Sequence, residues 1–186
     1  MVDASRPVLY YQDEEFERGG VRRRRTSFLW FRAGEEPRGQ GLRTTFDEEG
    51  FPVLFEVLQD GGGPGPLFAS TDLEEAARRA NGPAPEGRLH ALETELDPPH
   101  VPLVALLDSA PAAMGPYVYQ AVEGEDLWTV HCRCSPTQAS EIVDSIDVDL
   151  VPLEELSGLW PRAGDPSFRP TEEVWSALRL PPDWTP

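Results

Sequence analysis

Lysine is missing from this chain, and all 16 of its basic residues are arginine. A GC-rich genome, in which arginine codons displace lysine codons, accounts for that. Protection from lysine modification is the sharper alternative, and nothing else in the sequence supports it. Cysteine is scarce as well: the two stand in His131-Cys132-Arg133-Cys134. On an extended strand alternate residues share a face, so both sulfurs would point the same way, which is poor geometry for a disulfide. A metal site needs about four ligands at suitable spacing, and no second Cys/His cluster supplies them. Two reduced thiols in a reducing cytoplasm, and no metal, are expected. Long apolar runs are lacking too. None approaches the roughly 18 residues that cross a bilayer, and no signal peptide opens the chain. A membrane span and Sec-dependent secretion are disfavoured, and a cytoplasmic location is expected.

Positive charge is the next shortage. Sixteen basic against 33 acidic residues leave a net charge of −17, the reverse of what a protein tracking nucleic-acid phosphates carries. There is no Walker phosphate loop, dinucleotide glycine fingerprint, nucleophile-elbow serine or zincin helix. The glycines at 61–65 have neither the lysine nor the following helix of a phosphate loop, and they read as a hairpin or flexible loop. His90, His100 and His131 have no indicated acid–base partner.

What is present is a foldable core. The 186 residues are 39% hydrophobic, enough apolar material for one domain. Segments 8–11, 27–32, 53–58, 67–69, 88–96, 101–107, 117–122, 127–134 and 148–151 are short, rich in aromatic or β-branched residues and separated by turn signals, as strands are. Three helices stand out. One follows Thr71: Thr71-Asp72-Leu73-Glu74 reads as a capping box, Leu73, Ala76, Ala77 and Ala80 as the apolar stripe, and Gly82 as the stop. A second follows Ser135, with Pro136 at its first position and Gln138 completing a box. A third lies near 172–178 and carries Val174, Trp175 and Leu178. The pattern is α+β: a mostly antiparallel sheet or sheets with two or three short helices packed on a face. Residues 1–160 are expected to form a single α+β domain. Residues 161–186 are expected to form a Pro/Trp-rich extension wrapping the body; Trp175 and Trp184, with Trp160 just before, would staple the tail down or else form an exposed patch for a partner.

Charge is divided unevenly. Residues 1–43 hold nine arginines, four of them in Arg22-Arg23-Arg24-Arg25, while residues 91–160 hold 13 acids and one arginine, Arg133. Either the two halves pair with each other or they face different partners. The arginine run reads as a solvated edge or hairpin; as an anion site it would need helper groups that the sequence does not identify.

Leu29-Trp30-Phe31-Arg32, then Glu35-Glu36-Pro37, then Gly50-Phe51, and further on Leu67-Phe68-Ala69-Ser70-Thr71 running into a helix, resemble successive elements of the Arg-Ser-Glu class of mono-ADP-ribosyltransferases. The resemblance implies transfer of ADP-ribose from NAD. Arg32 would bind the diphosphate through its forked donors, Ser70 with Thr71 would organise the site, and a glutamate would stabilise the oxocarbenium-like transition state. Two Glu-x-Glu pairs are available. Glu123-Gly124-Glu125, ahead of a strand, is preferred, with Glu125 as the catalytic residue; Glu93-Thr94-Glu95 is the fallback. Asp72 stands where the family has a third serine. Each feature also has a plainer explanation: helix capping for Ser70 and Thr71, a solvent-facing strand side for Glu93 and Glu95, a hairpin turn for Glu123 and Glu125.

The expectation placed first is an acidic intracellular binding or inhibitor protein, like the immunity proteins that neutralise bacterial toxins. It would act through residues 91–160 on a protein partner, a basic one by charge complementarity, with no cofactor, nucleic acid or membrane involved. The alternative is a divergent mono-ADP-ribosyltransferase-like enzyme using NAD, or a degenerate scaffold of that fold. Nothing in the sequence sets an oligomeric state.

Overall fold

The structure, a computed structural model, describes residues 8–18, 20–32, 38–59, 65–95, 103–108, 117–120, 127–131, 148–156 and 172–184. Its strands are β1 (Val8–Arg18), β2 (Val21–Arg32), β3 (Arg38–Phe46), β4 (Pro52–Gln59), β5 (Leu67–Ser70), β6 (Leu103–Leu107), β7 (Tyr117–Gln120), β8 (Leu127–His131) and β9 (Asp149–Pro152). Helix α1 spans Thr71–Asn81 and α2 spans Glu172–Ser176, with 3-10 turns at Leu153–Leu156 and Pro182–Trp184. Seven strands form one mixed sheet in the order β6-β5-β4-β3-β2-β1-β9, and β7 and β8 form a separate antiparallel pair. Inside the large sheet the central junctions are antiparallel, whereas the outermost ones, β5 with β6 and β1 with β9, are parallel. The described residues are thus sheet-rich with few helices.

Strand side chains alternate, so the register sorts them onto two faces. On one face Tyr10, Leu29 and Leu58 pack with Leu156. Beside them Leu54, Leu67 and Ala69 meet Leu73 and Ala77 of α1 and the C-terminal residues Val174, Trp175, Leu178 and Trp184. The other face carries Leu42, Phe55, Val57, Phe68 and Leu107. Each large side chain buried this completely contributes about 1.5–3 kcal/mol.

The C-terminal stretch is pinned to this body. Trp175 and Trp184 stack with ring centres 5.7 Å apart, and Phe16 meets Trp175 edge-on at 5.4 Å. The Arg23 guanidinium lies 4.7 Å over the Trp184 ring and donates to the Asp183 carbonyl at 3.0 Å. Arg179 donates to the carbonyls of Asn81 and Pro83, where α1 ends, while its own N–H reaches the Leu92 carbonyl at 2.6 Å.

The structure departs from the sequence expectations at several points. Strand β3 is not among the strand-like segments, because Gly39 and Gly41 weaken its pattern. A Cβ at Gly41 would collide with the Phe28 carbonyl oxygen and the Leu29 side chain, so glycine permits the close approach of β2. Of the segment 88–96, the described residues 88–95 are turns rather than a strand, with a single bridge between Glu93 and Leu178. Side-chain carboxylates take the amides a ladder would need: Glu93 accepts from Leu89 and His90, and Glu74 from Ala91 and Leu92. Helix α1 is capped one residue earlier than the capping box implies. The Ser70 hydroxyl accepts from the Leu73 N–H at 3.1 Å, which moves Glu74 one place further into the helix and frees it for the 91–92 amides. Ala80 is exposed rather than part of the apolar stripe. Gly82 does end the helix, with φ of 84° and its N–H on the Arg78 carbonyl. The helix expected after Ser135, Cys132 and Cys134, and Trp160 lie outside the described residues.

Candidate functional site

The arginine run opens β2 directly after the turn that joins it to β1, so it lies in a hairpin as expected but inside the sheet rather than at its edge: Arg22 and Arg24 are exposed, Arg25 is half-buried and Arg23 is buried. Antiparallel pairing sets Glu14 opposite Arg25, Glu15 opposite Arg24, Phe16 opposite Arg23 and Glu17 opposite Arg22. Arg25 Nε reaches Glu14 Oε2 at 2.6 Å and its guanidinium covers the Phe16 ring at 5.0 Å. Arg22 pairs diagonally with Glu15 at 3.3 Å. Arg24 lies 4.6 Å over Phe46. Arg23 is buried beneath Trp184, with Glu48 3.8 Å away. A cleft of about 510 Å³ opens between the Gly20 turn and the Asp47–Gly50 turn, lined by Arg22, Arg23 and Arg24 but also by Glu15, Asp47 and Glu48. With Glu49, four carboxylates face three arginines among the described residues of the cleft, which leaves it no excess of positive charge.

Deeper on the same sheet face as Arg23 and Arg25 sits a polar layer. Ser27, Arg43 and Glu56 lie in one row across β2, β3 and β4. Arg43 Nε donates to Ser27 Oγ at 3.1 Å, and Arg43 Nη1 stands 3.8 Å from Glu56 Oε1. Arg43 Nη1 and Glu56 Oε2 are buried without a hydrogen bond. Burial pulls the Arg43 pKa down to about 10 against the pull of Glu56, and burial raises the Glu56 pKa against the pull of Arg43. Neither residue was a sequence candidate. The available signal was Glu56 itself, a lone carboxylate inside the apolar run Val53-Leu54-Phe55-Glu56-Val57-Leu58, where a strand has no wet side to offer it.

The residues that carry the transferase resemblance do not meet. Arg32 ends β2 opposite Arg38. Ser70 ends β5, and its row crosses β2 near Arg24 and Arg25. The two positions are three strands apart and, at ~3.3 Å per residue, ~25 Å apart along the strands. Ser70 is buried and its hydroxyl is committed to the α1 cap. Thr71 is the first helical residue. Glu93 is half-buried and caps the 88–93 turn, while Glu95 is exposed. Glu123 and Glu125 lie outside the described residues. Among the described residues no cluster of His, Cys, Asp or Glu has the makings of a metal site, and no helix is long and apolar enough to cross a membrane.

The acid-rich stretch supplies β6 and β9, the two outer strands of the sheet. Glu95, Asp108 and Glu155 are exposed, as are the apolar Val104, Val148 and Leu150. The chain matches no protein-family model, no curated protein and no solved structure.

Proposed function

We propose that this chain is a protein-binding protein of inhibitor or immunity type, which meets a basic protein partner through its acid-rich 91–160 stretch and uses no cofactor. The scaffold would be a single α+β domain with a mostly antiparallel sheet. One observation carries the proposal. Arg22, Arg23, Arg25 and Arg43 pair with Glu15, Glu48, Glu14 and Glu56, carboxylates that all lie in the first 60 residues. These four arginines are thereby engaged within the first 60 residues, and the 91–160 stretch carries 13 acids with one arginine of its own in the sequence. A field of one sign accelerates association and selects partners more than it sets affinity. The separation of Arg32 from Ser70 favours this reading over the transferase one.

The experiment is capture of a partner at low salt, followed by binding of the identified partner to a variant carrying Glu95→Arg, Asp108→Arg and Glu155→Arg. Slower association, lost in high salt, is expected. Association indifferent both to salt and to the three substitutions would sink the proposal. In parallel, proton NMR with NAD is expected to show no nicotinamide release. Release abolished by Arg32→Ala and Glu125→Gln would replace binding with transferase chemistry.

A further inference from the structure

Strand β1 is 11 residues long, but its outer neighbour β9 has only four. The parallel register pairs Val8, Leu9, Tyr10 and Tyr11 with Asp149, Leu150, Val151 and Pro152 and stops there. Proline has no N–H with which to continue a ladder. The chain then turns into Leu153–Leu156, which carries Leu156 into the core beside Tyr10. From residue 12 to residue 18, β1 keeps β2 on its inner side and has no neighbour among the described strands on its outer side. Alternate residues of such a stretch turn both N–H and C=O outward, here along ~23 Å at ~3.3 Å per residue.

This stretch, without a described outer neighbour, carries a charge pattern. Asp13, Glu15 and Glu17 are exposed and alternate, so they share one face. Two of them are already held in place: Asp13 accepts from the Thr26 hydroxyl, and Glu15 pairs with Arg22 at 3.3 Å. A second copy of this chain adding to the edge would set carboxylate against carboxylate, since directly opposed like charges destabilise a strand pair. A strand with arginine or lysine at every second position would set a cation opposite each acid. Unlike and like pairings therefore separate the two occupants in opposite directions.

We propose that residues 12–18 are a strand-addition site for an extended segment of a partner protein with basic residues at alternate positions, laid end to end with β9. Main-chain hydrogen bonds supply the docking and the acid ladder supplies the choice of sequence. The site lies outside the 91–160 stretch and does not depend on that stretch being an interface.

The test uses the full chain and two heptapeptides of identical composition, one strictly alternating arginine with valine or threonine, the other with its three arginines consecutive. Amide hydrogen exchange by NMR is the readout. The alternating peptide is expected to slow exchange at alternate amides within 12–18. The block peptide is expected to bind several-fold more weakly, and Asp13→Arg with Glu17→Arg to weaken the alternating peptide ~10-fold while leaving the spectrum of the remaining sheet in place. Equal binding of both peptides, protection outside 12–18, or no protection at millimolar peptide would each overturn the proposal.

Discussion

Arg43 and Glu56 stand directly opposite each other on β3 and β4, 3.8 Å between Nη1 and Oε1, with almost no solvent at either side chain. Removing two charges from water costs several kcal/mol per ion unless the geometry and the remaining hydrogen bonds are very good. Here one nitrogen and one oxygen go unbonded. The row Ser27–Arg43–Glu56 thus holds a polar layer between two apolar clusters, and a buried pair of this kind adds little to stability.

The pH dependence follows from Glu56. Its pKa in the fold is raised from 4.5 by burial, against the opposing charge of Arg43. A carboxyl that binds its proton more readily folded than unfolded contributes stability below its unfolded pKa and loses it as pH rises through the folded pKa. Urea unfolding of wild type and Glu56→Gln across pH 4 to 8 should therefore show wild type losing ground to the variant as pH rises. The opposite trend would mean that Arg43 stabilises the carboxylate more than burial penalises it.

A double-mutant cycle separates the pair from its surroundings. Arg43→Met alone leaves a buried carboxyl without its cation and should cost about 3 kcal/mol. Adding Glu56→Leu should recover much of that, because apolar residues of similar volume replace buried ion pairs at little cost. Simple additivity of the two single changes would mean that the residues are not coupled.

The position of the α1 cap can be checked by two single substitutions. Ser70→Ala should cost about 1 kcal/mol through the lost bond to the Leu73 N–H, and Thr71→Ala close to nothing. Denaturant midpoints decide it: the reverse order would restore Thr71 as the cap.

Trp184 is the clasp of the C-terminal stretch, held between Trp175 and the Arg23 guanidinium. Trp184→Ala should cost about 3–5 kcal/mol as a buried aromatic truncation, with a fall in Tm of several degrees in a thermal scan. A variant with wild-type Tm would mean that the tail adds nothing to the fold.

Much of the architecture is legible in local pattern. Short apolar runs mark β4, β5 and the Phe28–Phe31 half of β2, as in strands covered on both faces, and the Leu73–Ala77 spacing with Gly82 marks α1, a helix that buries one stripe. Strand β3 escapes that logic: its glycine answers to the backbone of β2, a partner that local pattern does not contain. The segment 88–95 fails for the converse reason. Its alternation is strand-like, but Glu74 and Glu93 take the amides a neighbouring strand would have used.

The candidate sites divide in the same way. Composition by itself establishes the −17 charge, the arginine-rich beginning and the acid-rich 91–160 stretch, since these need no coordinates. Only the tertiary structure decides which charges meet. It places the arginine run against Glu14 and Glu15, holds Arg32 away from Ser70, buries Arg43 with Glu56, and ends β9 after four residues, so that residues 12–18 of β1 have no described strand on their outer side. Pairing is a property of register and of strand order, and both arise from contacts between residues far apart in the chain.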